Sequence, residues 1–249
     1  MGMMSFGIGL KNYSNCFYFM NKYLVGFLFG VIGGVFAFGL MKSVETKAGI
    51  ANQVITPTPS PTPTPTPFDF WHKIVSDSAL STVAIQNFQN NKIKKQGNGI
   101  ILSSDGLIVT TLEIASGGSI QVLYEDKILK GKLIYKDSIN NLGIVKIENN
   151  NLSVSNLDKP SGYESGQEYM LTGKLANLSK PVIFSQKATI KYILDDKVYL
   201  DTNSDKNLNG AKAINHKGQT AGIVYVVGES VYLIKSDIIN DFYKTFLNQ

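Results

Sequence analysis

The run from Gly97 to Ala115, GNGIILSSDGLIVTTLEIA, constrains the fold more than any other stretch of the chain. Two apolar, β-branched runs flank Ser104-Asp105-Gly106. An Asp-Gly pair in that setting signals a hairpin, because glycine accepts the positive φ that a tight turn demands. The second run is read as ending at Glu113. Further strands are expected at Ser119 to Tyr124, Ile128 to Tyr135, Gly143 to Glu148, Glu168 to Gly173, Val182 to Leu194, Val198 to Asp201, Ala211 to Asn215, Thr220 to Val227 and Ser230 to Lys235. A helical turn near Trp71 to Asp77 and a strand at Ser81 to Phe88 precede the hairpin. Between Ile128 and Tyr135, Leu129, Leu133 and Tyr135 alternate with Lys130 and Lys132, which puts one face in a core and the other in water. Many short, regularly spaced strands mean an all-β barrel or sandwich. Ser236 to Leu247, SDIINDFYKTFL, reads as a closing helix with a serine cap and an acid in its first turn.

The front of the chain is organised differently. From Tyr23 to Met41 run 19 residues without a charge, bounded by Lys22 and Lys42. At about 1.5 Å per residue such a helix covers roughly 28 Å, close to the hydrocarbon thickness of a bilayer. The run exceeds the usual apolar region of a signal peptide, and Met41-Lys42-Ser43 offers no small-x-small cleavage site. An uncleaved transmembrane helix over 23–41 is therefore expected, with residues 1–22 cytoplasmic and the carboxyl side outside, as a slight positive-inside bias suggests. Residues 42–67 form a linker. Within it Thr56 to Pro67 alternates threonine or serine with proline and holds six of the eight prolines, a composition that favours an extended spacer. Residues 68–249 form the folded domain, placed at the plasma membrane on its extracytoplasmic side. The only cysteine is Cys16, so the exported part has no disulfide and depends on its core.

The net charge of +5 divides into +3 for residues 1–67 and +2 for residues 68–249, and the chain contains no arginine. A near-balanced domain without the residue best suited to bidentate phosphate contacts is a poor nucleic-acid binder. Two histidines, His72 and His216, and one cysteine offer no zinc constellation. No metal and no cofactor is expected.

Taken in order, the segments of the folded domain resemble the HtrA-like (Deg-type) branch of the trypsin-like serine proteases. Gly97-Asn98-Gly99-Ile100-Ile101-Leu102-Ser103-Ser104-Asp105-Gly106-Leu107-Ile108-Val109-Thr110 follows the opening motif of that family in register. Asp137 to Ile147, DSINNLGIVKI, follows its second motif, and Asp201 to Ile223 its third, with Asn215, Gly218, Gly222 and Ile223 in place. The resemblance covers residues 80 to 245 and implies a trypsin-like double β-barrel with a C-terminal helix, without the PDZ domain that many members carry. It also implies where the catalytic triad should stand. The histidine position falls on Glu113, the aspartate position on Asn141 and the nucleophilic serine position on Asn209.

None of the three replacements supports acyl transfer, which needs a hydroxyl nucleophile, an imidazole base and a carboxylate to orient it. Asn209 offers a non-nucleophilic amide, and Asn141 brings no charge. Glu113 accepts a proton but faces no hydroxyl. The oxyanion hole is a separate matter because its donors are backbone N–H groups. Its candidates here are Asn207, Asn209 and Gly210; with Asn207 at positive φ the loop would keep its shape and the cleft would bind a carboxylate or a peptide carbonyl. The expected function is a membrane-anchored, catalytically inactive protease homologue that acts as a binding or scaffolding module, with a peptide or protein ligand in the cleft. Two rivals stand beside it: a serine-type endopeptidase with a rearranged site drawing on Glu113 and Ser204, and a purely structural surface protein.

Overall fold

The computed structural model of the chain describes residues 67–159, 162–176 and 180–249. The apolar run 23–41, residues 1–22 and the linker as far as residue 66 lie outside the described residues. Among the described residues no helix is long and apolar enough to cross a membrane.

Helix α1 spans Pro67–Ala79. It is longer at both ends than the turn expected from sequence, and it starts on the last proline of the linker, whose fixed φ suits the first helical position. Six strands follow: β1 Thr82–Gln89, β2 Lys92–Ile101, β3 Leu107–Thr111, β4 Ser119–Tyr124, β5 Lys127–Asp137 and β6 Leu142–Ile147. They close into a barrel in the order β1-β2-β3-β6-β5-β4. A second set, β7 Glu168–Leu175, β8 Val182–Leu194, β9 Lys197–Asp201, β10 Lys212–Ile214, β11 Thr220–Val227 and β12 Ser230–Lys235, closes another. Read from β7, its order is β7-β8-β9-β12-β11-β10, so the two barrels repeat one topology.

The hairpin between β2 and β3 forms where expected. Leu102 N–H donates to Leu107 O at 2.7 Å, and Gly106 takes φ +103°. A Cβ there would stand 2.3 Å from Ile147 O, so glycine is needed for space as well as for conformation. Asp105 accepts from the Ser103 hydroxyl and from Lys146, which hold its carboxyl below the usual carboxylate range in that order of importance. The second run, however, leaves strand geometry at Thr111. A single helical turn, α2 Leu112–Ala115, follows it and carries Glu113 on its exposed side.

Each barrel buries its own apolar core, Val83, Ile85, Ile108 and Val145 in the first and Leu171, Ile190, Val198 and Val224 in the second. A third cluster joins them: Ile100, Val109 and Ile144 from barrel one meet Ile223 and Ile234 from barrel two. Ile239 and Phe242 of the closing helix α3, Ser236–Leu247, pack into the same seam. At roughly 1.5–3 kcal/mol for each large apolar side chain removed from water, this cluster is what makes two barrels one body. The α3 boundaries match the sequence reading, but the cap does not. Ser236 is the first helical residue, after an Lys235 N-cap that makes no side-chain bond. Its N–H donates instead to the Tyr163 hydroxyl at 3.2 Å, and that hydroxyl bonds Ala221 O at 2.8 Å.

Candidate functional site

Two of the three positions singled out above, Glu113 and Asn141, are joined directly by a hydrogen bond, and the third, Asn209, lies on the other barrel. In the β3–β6 ladder Thr111 pairs with Leu142, so the residues just past that pair, on α2 and in the turn before β6, come together. Asn141 has φ +54°, one of the few non-glycine types that tolerate that region. From there its carbonyl accepts from Leu112 N–H at 2.8 Å and its Oδ1 from Glu113 N–H at 3.2 Å. Asn141 thus caps α2 from a neighbouring turn, while its own Nδ2 is buried without a partner.

Asn209 belongs to the other barrel. It closes a one-turn 3-10 helix, Lys206–Leu208, ahead of β10. The backbone ladder to β11 reaches Gly210, whose N–H donates to Val224 O at 2.8 Å. One step further on, the side chain takes over: Asn209 Oδ1 accepts from Val226 N–H at 2.7 Å. Asn209 is only 7% exposed, and among the described residues no hydrogen bond joins it to Glu113 or Asn141. The charge of Glu113 nonetheless reaches Tyr225, the residue before Val226. Burial first, and that carboxylate second, push the Tyr225 phenol above its ordinary value.

The three candidate oxyanion donors are all engaged within the protein. Asn207 N–H donates to Asp205 Oδ1 at 2.9 Å, Asn209 N–H to Lys206 O at 3.1 Å and Gly210 N–H to Val224 O at 2.8 Å. Asn207 lies in the 3-10 helix and outside the positive-φ region. Asn207 and Asn209 turn their amides onto their own loop and Gly210 donates to β11, so none of the three N–H groups is free, a point the sequence left open. Gly210 keeps a different role. At φ +74° its missing Cβ leaves room for Asn98 O, 1.9 Å from where a Cβ would stand.

Asn98, between two glycines in β2, is the residue that sequence reasoning passed over. It is fully buried. Its N–H donates to Asn209 O at 2.8 Å, its Nδ2 to Asn207 O at 2.7 Å, and its Oδ1 accepts from Lys174 N–H at 2.6 Å. The Thr110 hydroxyl donates to its carbonyl at 2.6 Å. Asn98 therefore ties the 206–210 loop of barrel two to barrel one. A polar side chain in the middle of Gly-Asn-Gly was the available signal.

Beside Asn141 the seam opens into a cavity of about 360 Å³ lined by Tyr225, Val227, Tyr232, Leu233 and Ile238. Ser204 lies exposed ahead of the 3-10 helix, with no hydrogen bond to Glu113. His216 is exposed in the β10–β11 turn, its ring 4.8 Å from that of Trp71, and His72 is an exposed residue of α1. Neither histidine lines the seam cavity. Among the described residues no group of three His, Cys, Asp or Glu side chains is placed to hold a metal.

No protein-family profile matches the chain. HhoB of Synechocystis sp., a protein named as a serine protease, is 28% identical over 138 residues, 51% of this chain. The matched region is 33% of HhoB, so the chain spans about a third of that relative's length. Among solved structures, the crystal structure of a serine endoprotease from Yersinia pestis superimposes with a TM-score of 0.65 at 19% identity, covering 75% of this chain and 69% of that one. The chain carries the HtrA-like, trypsin-like serine protease fold.

Proposed function

We propose that the chain, built on the HtrA-like trypsin-like fold, is a membrane-anchored protein whose domain outside the cytoplasm binds peptide in the seam between its barrels without cleaving it. The state of Asn209 carries this reading. An amide stands where acyl transfer needs a hydroxyl, it is buried, and its oxygen is committed to Val226 N–H. The inward-turned amides of Asn207 and Asn209 point the same way, since a tetrahedral oxyanion needs free donors. The cavity beside Asn141 and Tyr225 supplies an apolar wall with a buried, unpartnered amide, the mixture that orients a bound ligand. The charge-free run 23–41 and the Thr-Pro spacer supply the anchor and the stand-off from the membrane.

The test combines reactivity with binding on the purified full chain. A fluorophosphonate probe is expected to leave the protein unlabelled, and an unfolded protein substrate to stay intact. A peptide array is expected to give sequence-dependent binding that Tyr225→Ala and Val227→Arg abolish. Labelling at Ser204 would overturn the proposal in favour of a rearranged serine-type endopeptidase. Uniformly absent peptide binding would overturn it in favour of a purely structural role.

A further inference from the structure

A second cavity, of about 690 Å³, lies away from the seam residues, between α1, the start of β1 and the β10–β11 turn. Its lining includes Lys212, which is only 2% exposed and has no carboxylate within ion-pair distance among the described residues. A buried ammonium is costly unless its donors are satisfied and its charge is met. Lys212 Nζ donates to Ser78 O at 3.0 Å and to Ser81 Oγ at 2.7 Å. The first bond caps the carboxyl end of α1, where a cation is favoured. Two bonds leave one of the three ammonium donors unused. Next to it, Ser78 Oγ is buried without any partner in a residue only 8% exposed, and Ser78 lines the same cavity. A cap explains the first of these facts and neither of the others.

The charge around the cavity is also one-sided. Lys73 and Asp77 pair at 2.8 Å and cancel. Lys217 on the rim makes no ion pair among the described residues, so it and Lys212 stand unbalanced. The walls are apolar: Phe70 and Ile74 of α1, and Val154 from the β6–β7 connection. Asn156 adds an exposed amide at the opening.

We infer that this cavity is a binding site for the carboxyl terminus of a peptide ending in an apolar residue. The carboxylate is held by Lys212 Nζ and the Ser78 hydroxyl, the last side chain lies against Phe70, Ile74 and Val154, and the Asn156 amide meets the last peptide group. A phosphate fits less well, because the site has one buried cation, no arginine and apolar walls. Burial holds the Lys212 amine down to about 7, and a bound carboxylate supplies the countercharge it lacks.

Trp71, the only tryptophan, packs its ring 4.8 Å from His216 on the cavity rim and reports on occupancy. On the full chain, N-acetyl-L-leucine is expected to give a saturable change in Trp71 fluorescence. N-acetyl-L-leucinamide, without the charge, should bind about tenfold or more weakly, the value of one charge-assisted hydrogen bond. 4-Methylpentanoate, which lacks the acylamide, should bind several-fold more weakly. Lys212→Met and Val154→Phe should each abolish the signal. Val154 is 49% exposed, so its variant fills the cavity without touching the buried lysine and should melt like the parent. The inference is overturned by equal binding of the amide, by equal binding of 4-methylpentanoate or inorganic phosphate, by persistence of the signal in Val154→Phe, or by absence of a saturable change. None of these outcomes bears on the peptide seam, whose test reads Tyr225 and Val227.

Discussion

The backbone N–H of Glu113 donates to Asn141 Oδ1 at 3.2 Å, so Asn141 holds the backbone of Glu113 rather than its side chain. The bond stabilises the first turn of α2. The Glu113 carboxylate is left exposed and takes part in no hydrogen bond within the site.

Asn141→Ala should destabilise the domain by about 2 kcal/mol. About 1 kcal/mol comes from loss of the cap, and about 1 more from holding alanine at φ +54°. Asn141→Gly removes the cap but suits the backbone, so it should cost about half as much. Urea unfolding of the two variants separates the contributions.

Asn98→Ala should cost about 3 kcal/mol, because it leaves Asn207 O and Lys174 N–H buried with their partner removed. It should also loosen the 206–210 loop. Faster amide exchange at Asn209 and Gly210, with the α3 amides unchanged, would distinguish a local tether from general loss of packing.

Rebuilding the triad side chains should not rebuild the enzyme. The triple variant Glu113→His, Asn141→Asp, Asn209→Ser supplies a base, an orienting acid and a nucleophile, but its 206–210 amides still donate inward. Loss of one oxyanion donor costs about 10²–10³ in kcat. The variant should therefore label at least about a hundredfold more slowly with a fluorophosphonate than when Asn207→Gly is added to free the loop.

Stability should rise with pH between about 7 and 9. The Lys212 amine titrates near 7 in the folded protein and near 10.5 when unfolded, so in this window the unfolded chain binds the extra proton and stability increases as pH rises. Below about 7 the penalty of burying the charge is fully present. Above about 10 the trend reverses, because burial raises the Tyr163 and Tyr169 phenols and the stability they contribute is lost as the unfolded phenols ionise. Thermal melts of the parent should show the slope, and those of Lys212→Met should lose most of it from pH 7 to 9, leaving the smaller contribution of Lys174, whose amine burial also lowers.

Tyr163→Phe should unfasten α3 from barrel two. It removes the hydroxyl that accepts from Ser236 N–H and bonds Ala221 O, at a cost of about 1 kcal/mol for each bond. Limited proteolysis near Ser236, compared with the parent, measures the release.

The sequence by itself determined the parts that depend on near neighbours. Alternation along β5, the Asp-Gly turn, and the limits of β8, β11, β12 and α3 all follow from periodicity and punctuation within a dozen residues. It also placed Glu113, Asn141 and Asn209 as the residues to watch, since motif register is a property of the chain. Only the tertiary structure decided what those residues do. Whether Asn209 presents its amide or spends it depends on Val226, 17 residues away, and Asn98 makes its three bonds across the barrel boundary. Lys212 reads as one more lysine in a lysine-rich chain until α1 is laid over it. Burial and hydrogen-bond completion are set by distant segments that meet only on folding, and no local pattern carries them.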